Sequence, residues 1–257
     1  MMTLDGVRAG WGEADALQGV DLAIRPGEVV SLLGENGAGK STLLSVLAGL
    51  LRPRAGSVTI EGRPLAVVPR REAARIIGYL PQSFVPLFPM TALDTVLLGR
   101  TPWLGAFGAP SRADLAAAER ALAEVDATAF AGTDLLGMSG GERQRVLLAR
   151  VFAGEPRILL LDEPAANLDP RHRLLVMEAL RRRAAAGAAV VFSTHEIDLA
   201  ASAADRAVLL SKGQVRADGP TLDVLTAPTL SELFGVPASV TRLPDGRPVV
   251  SLASRLG

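Results

Sequence analysis

The sequence predicts an α/β fold in which a mainly parallel β-sheet carries helices on its faces. Three short runs, at residues 29–33, 158–161 and 189–192, are almost wholly apolar, as expected of strands that are buried on both faces. A helical segment at about 170–186 separates the second run from the third, and this alternation is typical of parallel sheets with crossover helices. The chain of 257 residues suits a single domain, because domains commonly contain about 100–200 residues.

The region before residue 60 predicts an N-terminal antiparallel β subdomain. Residues 20–24 and 57–60 alternate apolar and polar side chains between Gly and Pro turns, which is typical of strands with one buried face. The apolar run at 29–33 lies between them and leads directly into a glycine-rich turn. The first strand of the parallel core therefore begins inside this β-rich region.

Residues from about 83 to 150 predict a helical lobe inserted in the core. Ser111, with Asp114 three residues later, resembles a capping box at a helix N-terminus. Apolar residues follow at helical spacing: Leu115, Ala118, Leu122 and Val125. Ser139 and Glu142 repeat the capping pattern before a second helix.

The sequence after Asp205 does not continue the alternation of strands and helices that is typical of the core. Beyond Asp205 the pattern returns to short strands and turns. We therefore expect residues of about 212–257 to form a C-terminal extension of the single domain that spans 1–257.

The composition excludes several classes of protein. Apolar residues make up 49% of the chain and charged residues 21%, which predicts a folded body with a sizeable core. The uncharged stretches at 83–93 and 184–194 are shorter than the ~18–20 apolar residues of a membrane-spanning helix, and the N-terminus lacks the continuous apolar segment of a secretory signal. The absence of Cys excludes disulfides and thiolate metal sites. Because 27 basic residues balance 27 acidic ones, the chain lacks the positive field that supports nucleic-acid binding.

A glycine-rich loop after the run at 29–33 fits the phosphate-loop pattern G-x-x-x-x-G-K-[ST], with a strand before it and a helix after it. The loop consists of Gly34, Glu35, Asn36, Gly37, Ala38, Gly39, Lys40 and Ser41, and Thr42 follows it. In such a loop backbone N–H groups surround phosphate oxygens, Lys40 reaches the β- and γ-phosphates, and the Ser41 hydroxyl ligates Mg²⁺. The alternative is a turn that merely caps a helix, but Lys40 is one of only two Lys residues and falls where the motif requires it. Alone, the loop predicts binding of ATP or GTP, which kinases and GTPases also bind.

Further candidate residues follow the other predicted strands. Asp162 and Glu163 end the run at 158–161, which places two carboxylates beside the phosphates at the carboxyl edge of the sheet. We expect Asp162 to hold magnesium and Glu163 to polarise the attacking water; an acidic turn that simply ends a strand is the alternative. His195, soon after the run at 189–192, could orient this water, although a lone His is more often a hydrogen-bonded structural residue.

Gln82 and Trp11 are weaker candidates for the same site. Gln82 follows a short apolar run, and its amide could ligate magnesium or the attacking water; an ordinary loop Gln is the alternative. Trp11 precedes the phosphate loop and could stack on an adenine, since such stacking contributes ~1–3 kcal/mol per base in nucleic-acid complexes. A Trp buried in the core is the other interpretation.

The stretch Ser139-Gly140-Gly141-Glu142 narrows the class of nucleotide-binding protein. A helix N-terminus with two small residues presents free N–H groups to an anion. With Met138 before it, the stretch resembles the signature of ATP-binding-cassette (ABC) ATPases, which usually reads Leu-Ser-Gly-Gly followed by Gln or Glu. A plain helix cap explains Ser139 and Glu142 but leaves the paired glycines unexplained.

The resemblance to this family covers most of the chain and implies an ABC ATPase fold with ATP and Mg²⁺ as cofactors. The features that carry it occur in the family's order: Trp11, the loop at 34–41, Gln82, the signature at 139–142, Asp162-Glu163, Asn167-Leu168-Asp169 and His195. In that family two cassettes pair head to tail, and the signature of one copy closes on the ATP held by the phosphate loop of the other. The resemblance therefore implies a homodimer.

A narrower resemblance is to the ATPases of importers for iron–siderophore complexes, haem or cobalamin. Residues 79–82, 99–102 and 234–237 carry it. It implies two transmembrane permease subunits, an extracytoplasmic substrate-binding protein and a peripheral position on the cytoplasmic face of the inner membrane. The alternatives are an importer ATPase for another small solute, a soluble cassette ATPase that acts on DNA or ribosomes, and a kinase with a phosphate loop.

The start of the helical lobe also predicts a docking surface. Apolar side chains are frequent there: Phe84, Val85, Leu87, Phe88 and, nearby, Trp103. An exposed apolar surface of this kind would suit a cytoplasmic helix of a permease. The alternative is that these side chains fold into the core of the lobe itself.

Overall fold

The computed structural model of the chain describes residues 1–84, 88–105, 108–242 and 248–252, with the backbone alone for residues 242, 248 and 252. The strands are β1 (Met2–Ala9), β2 (Leu17–Ile24), β3 (Val29–Leu33), β4 (Ala55–Ile60), β5 (Arg63–Pro64), β6 (Ile77–Leu80), β7 (Ile158–Asp162), β8 (Ala189–Ser193), β9 (Arg206–Ser211), β10 (Gln214–Pro220), β11 (Ala238–Arg242) and β12 (Pro248–Leu252). The helices are α1 (Lys40–Leu47), α2 (Arg70–Ile76), α3 (Ala92–Leu97), α4 (Arg112–Glu124), α5 (Gly140–Ala153), α6 (Pro170–Ala185), α7 (Ile197–Ala203), α8 (Thr221–Val224) and α9 (Ala227–Phe234). Within these residues, no helix combines the length and the apolar character needed to cross a bilayer.

The central sheet has the strand order β10-β9-β3-β8-β7-β6. The five strands from β9 to β6 pair in parallel, and β10 pairs antiparallel with β9. Every residue of β3, β7 and β8 is buried, because both faces of the sheet are covered. Leu159 and Leu161 pack into one core while Ile158 and Leu160 pack into the other, as the alternation of side chains along a strand requires. The predicted parallel core is therefore confirmed.

The N-terminal sheet is antiparallel, as predicted, with the order β2-β1-β4-β5. Its apolar face, which includes Met2, Val20 and Ile60, shares a core with α1 residues Leu43 and Leu47. The helix that follows the phosphate loop is thereby packed between the two sheets.

The helical lobe contains α3, α4 and α5. Both predicted capping boxes are present, at Ser111 with Asp114 and at Ser139 with Glu142. Arg100 is buried in the lobe and its Nε lies 2.9 Å from Asp114 Oδ1. Hydrogen bonds from Ser111, followed by one from Arg100, lower the pKa of Asp114 to about 2.

The C-terminal part departs from the prediction of strands and turns alone. Two helices, α8 and α9, follow β10, and Leu230 and Leu233 of α9 pack against Leu33 and Leu209 of the central sheet. Thr226 caps α9 and Pro228 lies in its first turn, so the local signals for a helix were present in the sequence.

Candidate nucleotide-binding site

Four neighbouring parallel strands bring the predicted site residues to one edge of the central sheet. β3, β8, β7 and β6 lie side by side in that order and run in the same direction. The phosphate loop follows β3, His195 follows β8, Asp162 and Glu163 end β7, and Gln82 follows β6. Residues that are far apart in sequence thus meet at the carboxyl ends of the strands, where open α/β sheets commonly bind ligands.

The phosphate loop can be built only with glycine at two of its positions. A Cβ atom on Gly34 would lie 2.2 Å from the Leu210 carbonyl oxygen. Gly39, with φ of 106°, has a left-handed backbone, and a Cβ there would lie 2.8 Å from the Ala16 carbonyl oxygen. The chain between β1 and β2 and the end of β9 therefore pack directly against the loop.

Lys40, the first residue of α1, is folded against the loop that precedes it. Its Nζ donates hydrogen bonds to the carbonyl oxygens of Gly34, at 2.6 Å, and Glu35, at 3.0 Å. Burial lowers the pKa of Lys40, while the nearby charges of Glu163 and Asp162 act in the opposite direction. Because an ammonium group has three N–H donors, these two bonds leave one for an anion.

Asp162 is held from the neighbouring strand by Ser193. The two residues are paired in the register of β7 with β8, and both are buried. The Ser193 hydroxyl donates to Asp162 Oδ1 and accepts a 3.0 Å hydrogen bond from the Glu163 N–H. Sequence reasoning missed Ser193; the only signal was a polar residue directly after the apolar run at 189–192.

Glu163 and His195 lie together next to a small cavity. Glu163 Oε1 is 3.2 Å from His195 Nδ1, and the Glu163 side chain is 16% exposed whereas that of His195 is 62% exposed. A cavity of about 10 Å³ is lined by residues that include Glu163, Ser193 and Thr194. A polar space of that size can hold about one water molecule.

The Glu163 backbone has an uncommon conformation, with φ of 50°. Its carbonyl oxygen accepts a hydrogen bond of 3.1 Å from Gln144 Nε2, on α5. Sequence reasoning also missed Gln144, because only the packing of α5 brings it to Glu163.

Gln82 and Trp11 are both exposed. Gln82 lies just beyond β6, the edge strand next to β7. The side chain of Trp11 is in the segment that joins β1 to β2, and the residue is 68% exposed, so the interpretation as a buried core Trp is wrong. Since Ala16 of that segment packs against Gly39, Trp11 is carried by a segment that touches the phosphate loop.

The signature stretch forms the outward-facing start of α5. Ser139 Oγ donates to Glu142 Oε2 at 2.7 Å, the Ser139 N–H donates to the same oxygen at 2.9 Å, and these bonds lower the pKa of Glu142. A Cβ atom on Gly141 would lie 2.9 Å from the Asn167 carbonyl oxygen, so this glycine allows the helix to rest on the 167–168 segment. In the described part of the chain, no hydrogen bond joins 139–142 to the phosphate loop of the same copy.

The predicted apolar docking surface is only partly exposed. Phe84 packs against the core, and the Arg150 guanidinium lies 4.7 Å from its ring centre. Trp103 donates from Nε1 to the Gly154 carbonyl oxygen at 3.1 Å and is 40% exposed, whereas Phe88 is 62% exposed. Val85 and Leu87 lie outside the described residues. For Phe84 the alternative of folding into the lobe is therefore correct, and Phe88 keeps the exposure expected of a docking residue.

Comparisons with known proteins agree with this architecture. A family model described as ABC transporter matches residues 17–166. A hemin import ATP-binding protein, HmuV, of Streptomyces coelicolor is 44% identical over 235 residues, which is 91% of this chain and 83% of that protein. An inward-facing metal-chelate type ABC transporter has a TM-score of 0.85 at 28% identity and covers 99% of this chain and 98% of its own. A dimeric post-hydrolysis ATP-binding cassette bound to ADP and Pi has a TM-score of 0.75 at 31% identity, over 86% of this chain and 99% of its own.

Proposed function

The chain belongs to the ABC transporter family, and from that membership we propose that it is the ATP-binding and ATP-hydrolysing subunit of an importer for a metal chelate, with haem as the first substrate to test. Iron–siderophore complexes and cobalamin are the other members of this substrate class. The relative from Streptomyces coelicolor, which is named for hemin import, supports haem in particular.

The observation that carries this proposal is the meeting of Lys40, Asp162, Glu163 and His195 at one edge of the sheet. Nucleotide binding follows from the phosphate loop, because the backbone N–H groups of 34–39 and the start of α1 can surround the β- and γ-phosphates. Lys40 adds a compact positive charge that can move from the loop carbonyls to the phosphates.

The proposed magnesium ligands fit the preferences of that ion. Ser41, Gln82 and Asp162 all offer oxygen atoms, which Mg²⁺ prefers. Asp162 is already oriented, because Ser193 binds its Oδ1 and leaves Oδ2 for the ion or an ion-bound water. When bound, Mg²⁺ neutralises the charge of the phosphates.

The proposed reaction is attack of water on the γ-phosphorus of ATP, which breaks the bond to the β–γ bridging oxygen and releases ADP and inorganic phosphate. Glu163 accepts the proton of the attacking water, and the cavity beside it has room for one such molecule. His195 donates a hydrogen bond to Glu163 or, after rotation, to the γ-phosphate, and thereby orients the reactants. Trp11 stacks on the adenine.

The proposed working unit is a head-to-tail homodimer. Ser139 and Gly140 are exposed in one copy, while Gly141 and Glu142 beside them are half-buried, so the tip of this helix is free to close on the nucleotide held by the other copy, where these four residues would contact it. The positive end of α5 then points at the γ-phosphate. Two transmembrane permease subunits and an extracytoplasmic substrate-binding protein complete the transporter. The dimer lies peripherally on the cytoplasmic face of the inner membrane.

Growth on haem as the only iron source tests the proposal. We expect a strain that lacks this gene to grow on ferric salts but not on haem, and the wild-type gene to restore growth where the Glu163→Gln variant does not. Restoration of growth by the variant would contradict ATP-driven import by this chain. A defect confined to ferric siderophores or to cobalamin would reassign the chelate.

Two rival functions make different predictions in purified protein. A kinase would transfer the phosphoryl group to a small acceptor, whereas we expect release of inorganic phosphate with no acceptor present. A soluble cassette ATPase would be stimulated by DNA or ribosomes, whereas we expect stimulation only by the permease in lipid.

A further inference from the structure

Glu163 is held by side chains on both sides of its backbone. Its N–H donates to Ser193 Oγ at 3.0 Å, and its carbonyl oxygen accepts from Gln144 Nε2 at 3.1 Å. The φ angle of 50° is uncommon for a residue with a side chain and persists only where the surroundings determine it. Ser193 and Gln144 supply that constraint, the first from the core and the second from the helical lobe.

Gln144 belongs to the same helix as the signature. It lies five residues after Ser139 in the first turns of α5, and it is half-buried. Gly141, at the start of that helix, rests on the Asn167 carbonyl. The first turns of α5 therefore contact the 163–167 segment at its beginning, through Gln144, and at its end, through Gly141.

We propose that Gln144 is a positioning residue that holds the general base of its own site and couples this base to the opposite site of the dimer. The inference rests on the proposed function, because it requires that each α5 close on the nucleotide of the partner copy. When α5 moves to meet that nucleotide, the hydrogen bond from Gln144 moves the Glu163 carbonyl, and the Glu163 carboxylate is reoriented relative to its own ATP. The occupancy of one site thereby sets the geometry of the other.

A suitable variant removes the hydrogen bond without exposing a buried polar group. Gln144→Met keeps the length of the side chain and removes the donor. The Glu163 carbonyl oxygen also accepts from the Ala166 N–H at 3.1 Å, so it keeps one partner in the variant. Gln214→Met makes the same exchange at a half-buried Gln on the edge strand β10 and serves as the matched control.

Mixed dimers with one working site identify the chain in which Gln144 acts. One chain carries Lys40→Ala and supplies the intact signature. The other chain carries Gly140→Asp, which places a carboxylate at the start of its own signature helix. This second chain supplies the intact phosphate loop and Glu163. We expect Gln144→Met to lower kcat by about 10–100-fold in the chain that supplies Glu163, with KM within about twofold, since a displacement of about 1 Å can cost on the order of 100-fold. In the chain that supplies the signature, we expect the change in kcat to be less than about twofold.

Other outcomes contradict the inference. If Gln144→Met lowers kcat mainly when it is in the chain that supplies the signature, Gln144 acts through the contact between the signature and the nucleotide. If the loss of kcat is equal for the two chains, or absent from both, Gln144 does not position Glu163. A parental mixed dimer that is no more active than either homodimer would contradict the shared site of the proposed function as well. If the parental mixed dimer is active but Gln144→Met does not lower kcat specifically in the chain that supplies Glu163, only the role of Gln144 is contradicted.

The dependence of the homodimer's rate on ATP concentration measures the coupling itself. We expect the Hill coefficient to fall to about 1 in Gln144→Met and to stay above 1 in the wild type and in Gln214→Met. A wild type with no cooperativity, or a Gln144→Met homodimer with unchanged cooperativity, would overturn the coupling. Gln144→Lys, which restores a donor, should recover part of both kcat and cooperativity.

Discussion

The Ser193 hydroxyl joins Asp162 to Glu163: it donates to the Asp162 carboxylate and accepts the N–H of the next residue. Ser193 is fully buried on β8, directly opposite Asp162 on β7. One side chain thus fixes both the proposed magnesium ligand and the backbone of the proposed general base. Loss of this hydroxyl should therefore affect both the free energy of unfolding and the rate of ATP hydrolysis.

Ser193→Ala should destabilise the protein and slow ATP hydrolysis. The substitution leaves a buried carboxylate oxygen of Asp162 and the partly buried N–H of Glu163 without this partner, and an unsatisfied buried group costs about 1–3 kcal/mol. We expect the free energy of unfolding, measured in urea, to fall by that amount and kcat to fall by at least about tenfold. The control is Ser31→Ala on the adjacent strand β3, where the fully buried hydroxyl makes a single long hydrogen bond, of 3.5 Å, to the described part of the chain. Equal effects of the two substitutions would contradict the role of Ser193.

The sequence was sufficient to predict features that depend on local chemistry. The apolar runs at 29–33 and 158–161 are strands, because a strand covered on both faces needs apolar side chains throughout. Both capping boxes form, because a Ser followed three residues later by an acidic residue satisfies the free N–H groups of a helix start locally.

Features that depend on register and tertiary packing could not be predicted in this way. Ser193 reaches Asp162 only because β7 and β8 pair in one particular register, which no short segment of sequence specifies. Gln144 reaches Glu163 only because α5 packs against the end of β7. Helix α9 was missed although Thr226 caps it, because its eight residues are shorter than the window of about 11–18 residues over which a helical period is assessed.

Lys40→Ala should abolish nucleotide binding or weaken it by roughly 10–100-fold, because hydrogen bonds to charged groups each contribute about 1.5–3 kcal/mol. Equilibrium binding of a fluorescent ATP analogue measures the change. The other Lys, Lys212, provides the control: it is exposed in the turn between β9 and β10 with φ of 49°, a conformation that Asn tolerates. Lys212→Asn should bind like the wild type, and a comparable loss there would show that the effect is one of overall charge.

The contribution of Asp114 to stability should depend on pH. Its pKa is about 2 in the folded protein, below the ordinary value of 3.8, because Ser111 and Arg100 bind the carboxylate. A lowered pKa means that the carboxylate stabilises the fold fully above pH 3.8 and that this contribution is lost as the pH falls towards 2. The difference in unfolding free energy between the wild type and Asp114→Asn should therefore be constant near neutral pH and shrink on acidification through that window. A constant difference for Asp114→Asn down to pH 2 would contradict the assignment.

Glu163→Gln should preserve ATP binding and stop its hydrolysis. The amide keeps the size and most contacts of the side chain but cannot accept a proton, and general-base catalysis typically contributes about 10²–10⁴-fold to the rate. ATP then holds the two copies together, so light scattering should detect a stable dimer with ATP but not with ADP. Glu61→Gln is the matched control, because Glu61 is exposed in a turn with φ of 52°, close to the 50° of Glu163. Normal turnover by the Glu163 variant would show that another group activates the water, whereas a dimer formed equally by both variants would show that association does not depend on the blocked reaction.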